Sequence, residues 1–100
     1  MSEPLVSTLG DDPDLAEVVD EYVAVLADRI REIQGAATAG DRRRIEFLAH
    51  RMVGSAGSHG FDPIGDAARR LEQAASEGNA ASLAAAIRDL AELCARARAR

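Results

Sequence analysis

Residues 41–60 read DRRRIEFLAHRMVGSAGSHG, and the fold follows from how this stretch is patterned. Asp41 is a favourable helix N-cap, and Ile45, Leu48, Ala49, Met52 and Ala56 recur behind it at helical spacing. At about 100° per residue, these five fall within roughly 60° of one direction. His50 stands off that stripe, at about 140° from Ile45, with Gly57 at about 120°, Gly54 at about 180° and Phe47 at about 200°. A histidine is thus expected on an outward face with glycines four and seven residues after it. Each interior glycine costs about 0.5–1 kcal/mol relative to alanine. Access to the imidazole is the reading that best accounts for two of them, and close helix packing is the alternative.

The same logic extends outward in both directions. Asp12-Pro13 gives an N-cap followed by proline at the first helical position. Leu15, Val18, Val19, Tyr22, Leu26, Ile30 and Ile33 then predict one long amphipathic helix, with Gly35 and Gly40 bracketing its end. After Gly60, Asp62-Pro63 predicts a third helix by the same cap logic, with Ile64, Ala67, Ala68, Leu71, Ala74 and Ala75 inward. Gly78 ends it, and Asn79 can cap a fourth helix carrying Leu83, Ile87, Leu90 and Cys94. Arg96, Arg98 and Arg100 suit a helix C-terminus and are expected to fray. No strand pattern is expected. Residues 1–11 read as an N-terminal extension in which Leu5, Val6 and Leu9 form a short turn over one end of the core. The expected architecture is all-α: an antiparallel up-down four-helix bundle over residues 12–100.

Composition narrows the function. A net charge of −5 argues against a nucleic-acid partner, which clustered positive charge would have to bind. All 12 basic residues are arginine, so any site that needs a cation must use one. One cysteine, Cys94, cannot form an internal disulfide, and a small core residue is the simplest reading of it. No signal peptide or membrane-spanning run is visible, so a cytoplasmic monomer is expected. No serine-histidine-aspartate arrangement, metal-ligand spacing or phosphate loop can be placed. What remains is a reachable imidazole, a good nucleophile near neutral pH when its other nitrogen is held by a hydrogen bond. His59 reads as a helix-end or packing residue, and Ser55 as a donor to a backbone carbonyl. Phe47 is divided between a docking contact and a place under the first helix.

The run from His50 to Gly60 resembles the motif of histidine-containing phosphotransfer domains, roughly His-x-Leu-Lys-Gly-Ser-Ala with glycine a few residues on. His50, Gly54, Ser55, Ala56 and Gly60 match in order and spacing, and Met52 stands where leucine or isoleucine is usual. Leu71-Glu72 resembles the Leu-Glu or Leu-Gln pair of the following helix, and the likeness runs from about Thr8 to Ala95. The resemblance implies that His50 is a phosphoacceptor exchanging a phosphoryl group with an aspartate of a receiver domain, in a two-component phosphorelay that can include a hybrid histidine kinase. Such a phosphocarrier has no independent turnover and binds no cofactor of its own; the Mg²⁺ belongs to the receiver. Glu72 is implied to accept a hydrogen bond from the non-reacting ring nitrogen. Gly54 and Gly57 would clear the approach, and Phe47 and Arg69 would meet the partner. One departure stands out: Val53 occupies the position of the family's lysine. Arg43, Arg51, Arg69 and Arg70 are candidate substitutes, with Arg43 the better placed on the wheel and Arg51 pointing elsewhere. The departure keeps open a second reading, a module that docks a receiver or kinase without being phosphorylated, and a third, a purely structural bundle.

Overall fold

Asp12 begins the first helix as its chemistry requires: its carboxylate accepts from the Asp14 N–H at 2.9 Å, and Pro13 follows. The computed structural model describes residues 3–100. Four helices occupy most of it: α1 (Pro13–Thr38), α2 (Arg42–Ser58), α3 (Asp62–Glu77) and α4 (Ala80–Arg96). Asp41 caps α2 through the Arg44 N–H, and Asn79 caps α4 through the Ser82 N–H. α1 ends at Thr38, between Gly35 and Gly40 as expected, and one helix differs from the expected boundaries. At α3 the cap position falls on Phe61, which makes no side-chain cap bond, and Asp62 is already helical. Phe61 is wholly buried there, so core packing rather than a polar cap fixes the start of α3.

The helices form a bundle around one core. α2 packs chiefly on α3, α3 on α4, and α1 on both α2 and α4. The inner faces of α2 and α3 are those the periodicity predicts: all five α2 positions and all six α3 positions are buried. α1 departs from expectation. Val19, Leu26, Ile30 and Ile33 are buried, but Leu15 and Val18 are among the exposed large hydrophobic residues. Its apolar arc is wider than the two neighbouring helices can cover. On α4, Leu90 and Cys94 are buried, whereas Leu83 and Ile87 pack only partly against the core. Burial pushes the Cys94 thiol up to about 12, so it stays neutral in the folded protein near neutral pH.

The two ends of the chain correct the expectation that no strand forms and that the tail frays. Leu5–Val6 (β1) pairs in parallel with Ala97–Arg98 (β2). Ala97 and Ala99 are buried, while Arg98 and Arg100 are exposed. The Arg96 Nε–H donates to the Glu3 carbonyl at 2.7 Å, and the Ser7 N–H to the Arg98 carbonyl at 2.9 Å. Thr8 follows as a donor to the Gly60 carbonyl, and the Ser7 hydroxyl donates to the His59 carbonyl at 2.6 Å. The ends therefore clasp each other and the α2–α3 turn. Leu5 and Leu9 pack partly on the core, residues 8–11 form turns, and residues 1–2 of the expected extension lie outside the described residues.

Gly10 is the tight point of the clasp, because a Cβ there would overlap the Ala99 carbonyl. Gly10→Ala should therefore lower stability by about 1–3 kcal/mol, as overpacking does. It should also speed hydrogen exchange at the Ser7 and Thr8 amides, with the α2 and α3 amides still protected. Wild-type exchange at Ser7 and Thr8 would show that the clasp does not depend on this contact.

Candidate functional site

α2 presents His50 to solvent: its side chain is 71% exposed, although Leu48, Ala49 and Met52 beside it are buried. Its Nδ1 lies 2.8 Å from Oε2 of Glu72 on α3. A carboxylate only accepts, so in this pair Nδ1 carries the proton, and in the neutral ring Nε2 keeps its lone pair. Glu72 is the less exposed partner, at 30%, and lies beside the wholly buried Leu71. The result is an imidazole oriented from below, with a free nucleophilic nitrogen.

The glycines divide by role. At Gly54 a Cβ would meet nothing within 4 Å, so the space beside His50 is open. Gly57 faces α3: a Cβ there would lie 3.7 Å from Asp62 Oδ1. At neither would a Cβ crowd the neighbouring helix. The close approach belongs to Gly65 on α3, where a Cβ would sit 3.3 Å from the Val53 carbonyl oxygen and 3.9 Å from the Gly57 nitrogen. Sequence reasoning passed over Gly65. The signal was present, since Gly65 lies beside Ile64 and three residues before Ala68 on the face of small residues.

The arginines are dispersed. Arg51 lies over the Phe47 ring, with Cζ 5.7 Å from its centroid. Phe47 itself is 55% exposed, so it does not tuck under α1. Arg69 pairs with Asp66 at 3.6 Å on its own helix. Arg43 borders a cleft with Arg42, Glu46, Ala75 and Ser76, and Arg70 lines a groove between α3 and α4. Among the described residues, Glu72 supplies the one ion-pair or hydrogen-bond contact to the His50 side chain. Val53 is half-buried and packs against the core.

A second polar group lies at the C-terminal end of α2. The Tyr22 hydroxyl and Ser55 Oγ are 2.7 Å apart, and the Tyr22 ring stacks on His59 at 3.9 Å. The His59 Nδ1 lies 2.7 Å from the Ser55 carbonyl. Ser55 therefore bonds a tyrosine, not the backbone carbonyl expected, and His59 is a packing residue of the helix end. Burial raises the Tyr22 hydroxyl above its ordinary value, against a smaller lowering by Ser55. Among the described residues no group of three or more histidine, cysteine, aspartate and glutamate side chains is placed to hold a metal ion. No helix among them is long and apolar enough to cross a membrane.

A family model described as the Hpt domain matches residues 17–100. The chain belongs to the Hpt domain family. No curated protein and no solved structure matches it. The matched span of this Hpt domain contains all four residues that shape the site: His50, Gly54, Gly65 and Glu72.

Two glycines of this site should respond oppositely to the same substitution. Gly54→Leu replaces a poor helix former in open space and should raise stability by about 0.5–1 kcal/mol. Gly65→Leu should lower it by at least about 1–3 kcal/mol, because the added atoms must push α3 from the backbone of α2. Urea denaturation of both variants checks this, and equal effects would contradict the division of roles.

Proposed function

We propose that this Hpt domain is a phosphocarrier that accepts and donates a phosphoryl group on His50 in a two-component phosphorelay. One observation carries the reading: an exposed imidazole with Nδ1 bonded to Glu72 at 2.8 Å, next to open space at Gly54. Family membership supports the phosphorelay setting. The pairing of His50 with Glu72, Val53 with Gly65 and Arg42 with Ala75 supports the antiparallel up-down form of the bundle, since α2 numbers fall as α3 numbers rise.

In the proposed reaction, a receiver domain docks over His50 with its aspartyl phosphate toward Nε2. The Nε2 lone pair attacks phosphorus in line, an N–P bond forms, and the P–O bond to the aspartate breaks. The aspartate leaves as a carboxylate with that electron pair. The ring gains positive charge, which Glu72 offsets through the Nδ1–H bond. The receiver or a hybrid histidine kinase is the partner, and Mg²⁺ bound by the receiver supplies charge neutralisation at the phosphoryl oxygens. Positioning and electrostatics dominate such transfers. Gly54 leaves room for the incoming group, and Phe47 and Arg69 flank the surface it meets. The domain is cytoplasmic on this reading, and acts as a monomer.

Val53 favours a second reading, a domain that docks a receiver or kinase without taking the phosphoryl group, because α2 offers no cation at that position. Labelling separates the two. Incubation with phosphorylated receivers or an active kinase should give acid-labile, base-stable phosphate on wild type and none on His50→Gln. Gly54→Leu, although folded, should transfer at least about tenfold more slowly through loss of the aligned approach. Equal labelling of wild type and His50→Gln would remove the carrier reading; binding without labelling would install the docking one.

The departure at residue 53 gives a further expectation. Val53→Lys can extend its stem along the helix surface and place an ammonium beside the phosphoryl group. It should lengthen the lifetime of phosphohistidine, followed as loss of label after removal of the receiver. An unchanged lifetime would show that the family's charge at this position is not what this domain lacks.

A further inference from the structure

The face of α1 that the bundle leaves uncovered has a definite order. Leu15, Val18, Tyr22, Val25 and Arg29 follow at steps of three, four, three and four. Leu15, Val18 and Val25 are exposed, as is Phe47 on α2. Where this stripe ends, Tyr22, Val25 and Arg29 of α1 and Arg51, Met52 and Ser55 of α2 line a cleft of about 120 Å³. Its polar groups are not alike. Tyr22 and Ser55 satisfy one another at 2.7 Å. Arg29 gives one nitrogen to Glu32 at 2.7 Å, and a guanidinium has five N–H donors in a planar fork. Arg51 has no ion pair among the described residues and rests on Phe47.

Two arginines lining one cleft, on a chain of net charge −5, favour an anion there. The space is far below the roughly 300–1,000 Å³ of ordinary ligand pockets, so it suits a single carboxylate side chain. The surrounding apolar stripe indicates how that carboxylate arrives. A free small anion would leave Leu15, Val18, Val25 and Phe47 in water, whereas a protein surface would cover them with the same contact. We infer that the Arg29–Arg51 cleft receives an acidic side chain of the receiver domain that docks over His50, carried on an apolar surface lying along Leu15, Val18 and Val25. The inference rests on the phosphorelay reading above. It gives the docking surface a direction: the cations lie on the α1 side of α2, and Glu72 holds the imidazole from the α3 side.

The test titrates the receiver domains of the same genome, as purified proteins, against wild type and Arg51→Gln by calorimetry at two salt concentrations. Thermal melts establish that the variant is folded; the Arg51 guanidinium makes no hydrogen bond within the described residues, so Arg51→Gln should melt as wild type does. Loss of one charged partner should weaken binding of the receiver about tenfold or more. The remaining affinity should depend less on salt, because one screened attraction is gone. Neutralising the matching acidic residue of the receiver should weaken wild type but add little to Arg51→Gln. A receiver that binds wild type and Arg51→Gln equally overturns the cleft and leaves the phosphorelay reading standing. If no receiver binds wild type, the phosphorelay reading falls and this inference with it. A concentration-dependent dimer in sedimentation, abolished by Val18→Asp, would show that a second copy covers the stripe, and would also overturn the proposal.

Discussion

The contact of Gly65 with the α2 backbone is the constraint from which the site follows. With no side chain at Gly65, α3 can approach the Val53 carbonyl and the Gly57 nitrogen closely. That approach fixes how α3 is aligned against α2. At one end Phe61 donates its N–H to the Ala56 carbonyl, and at the other the Arg42 guanidinium donates to the Ala75 carbonyl at 3.3 Å. Between these ties Glu72 comes opposite His50. The pair itself adds little: with the histidine mostly in water, such an interaction contributes about 0–1 kcal/mol. The helix packing holds the Glu72 carboxylate in place, and its hydrogen bond with Nδ1 in turn orients the ring.

The clasp of the chain ends bears on the same helix from its other side. Ser7 and Thr8 donate to the His59 and Gly60 carbonyls, which would otherwise be free acceptors in the turn after α2. Tyr22 stacks on His59 and bonds Ser55, so α1 also holds this end. α2 is thus anchored by the Asp41 cap and Arg42 at its start and by the Ser7–Thr8 segment and α1 at its finish. In the proposed transfer, a nucleophile that meets phosphorus in line would gain from such a fixed base, since small misplacements are costly in rate.

Much of this was legible before the fold was seen, for a definite reason. The α2 and α3 faces follow a 3.6-residue period that burial enforces, and Asp12, Asp41 and Asn79 each have a side chain that can reach an unpaired N–H. The readings that failed did so where one pattern has two meanings. Leu15 and Val18 have core-like spacing, but spacing does not say whether a neighbour exists to cover them. Residues 96–100 alternate arginine and alanine, a period of two that suits a strand with alanines inward. The helical preference of both residue types concealed it. Phe61 displaced the expected Asp62 cap because burying an aromatic ring outweighs one side-chain hydrogen bond. Gly65 stood on the small-residue face beside Ile64, but its place there does not say which backbone lies against it.

Val53 bears on how the labour of the proposed transfer is divided. A phosphoryl group on His50 would add negative charge to a domain already at −5. Residue 53 contributes only apolar packing there. Arg51 is drawn aside over Phe47, and Arg69 is shared with Asp66. Among the described residues no cation is fixed beside the imidazole, while a carboxylate is. Glu72 favours the cationic ring of the phosphorylated state, yet it repels the phosphoryl oxygens. In the proposed transfer the domain would stabilise the attacking atom and leave the transferred group to its partner. Such a division would make transfer depend on a docked receiver throughout, so that the proposed recognition along α1 and the proposed chemistry at His50 would be parts of one event.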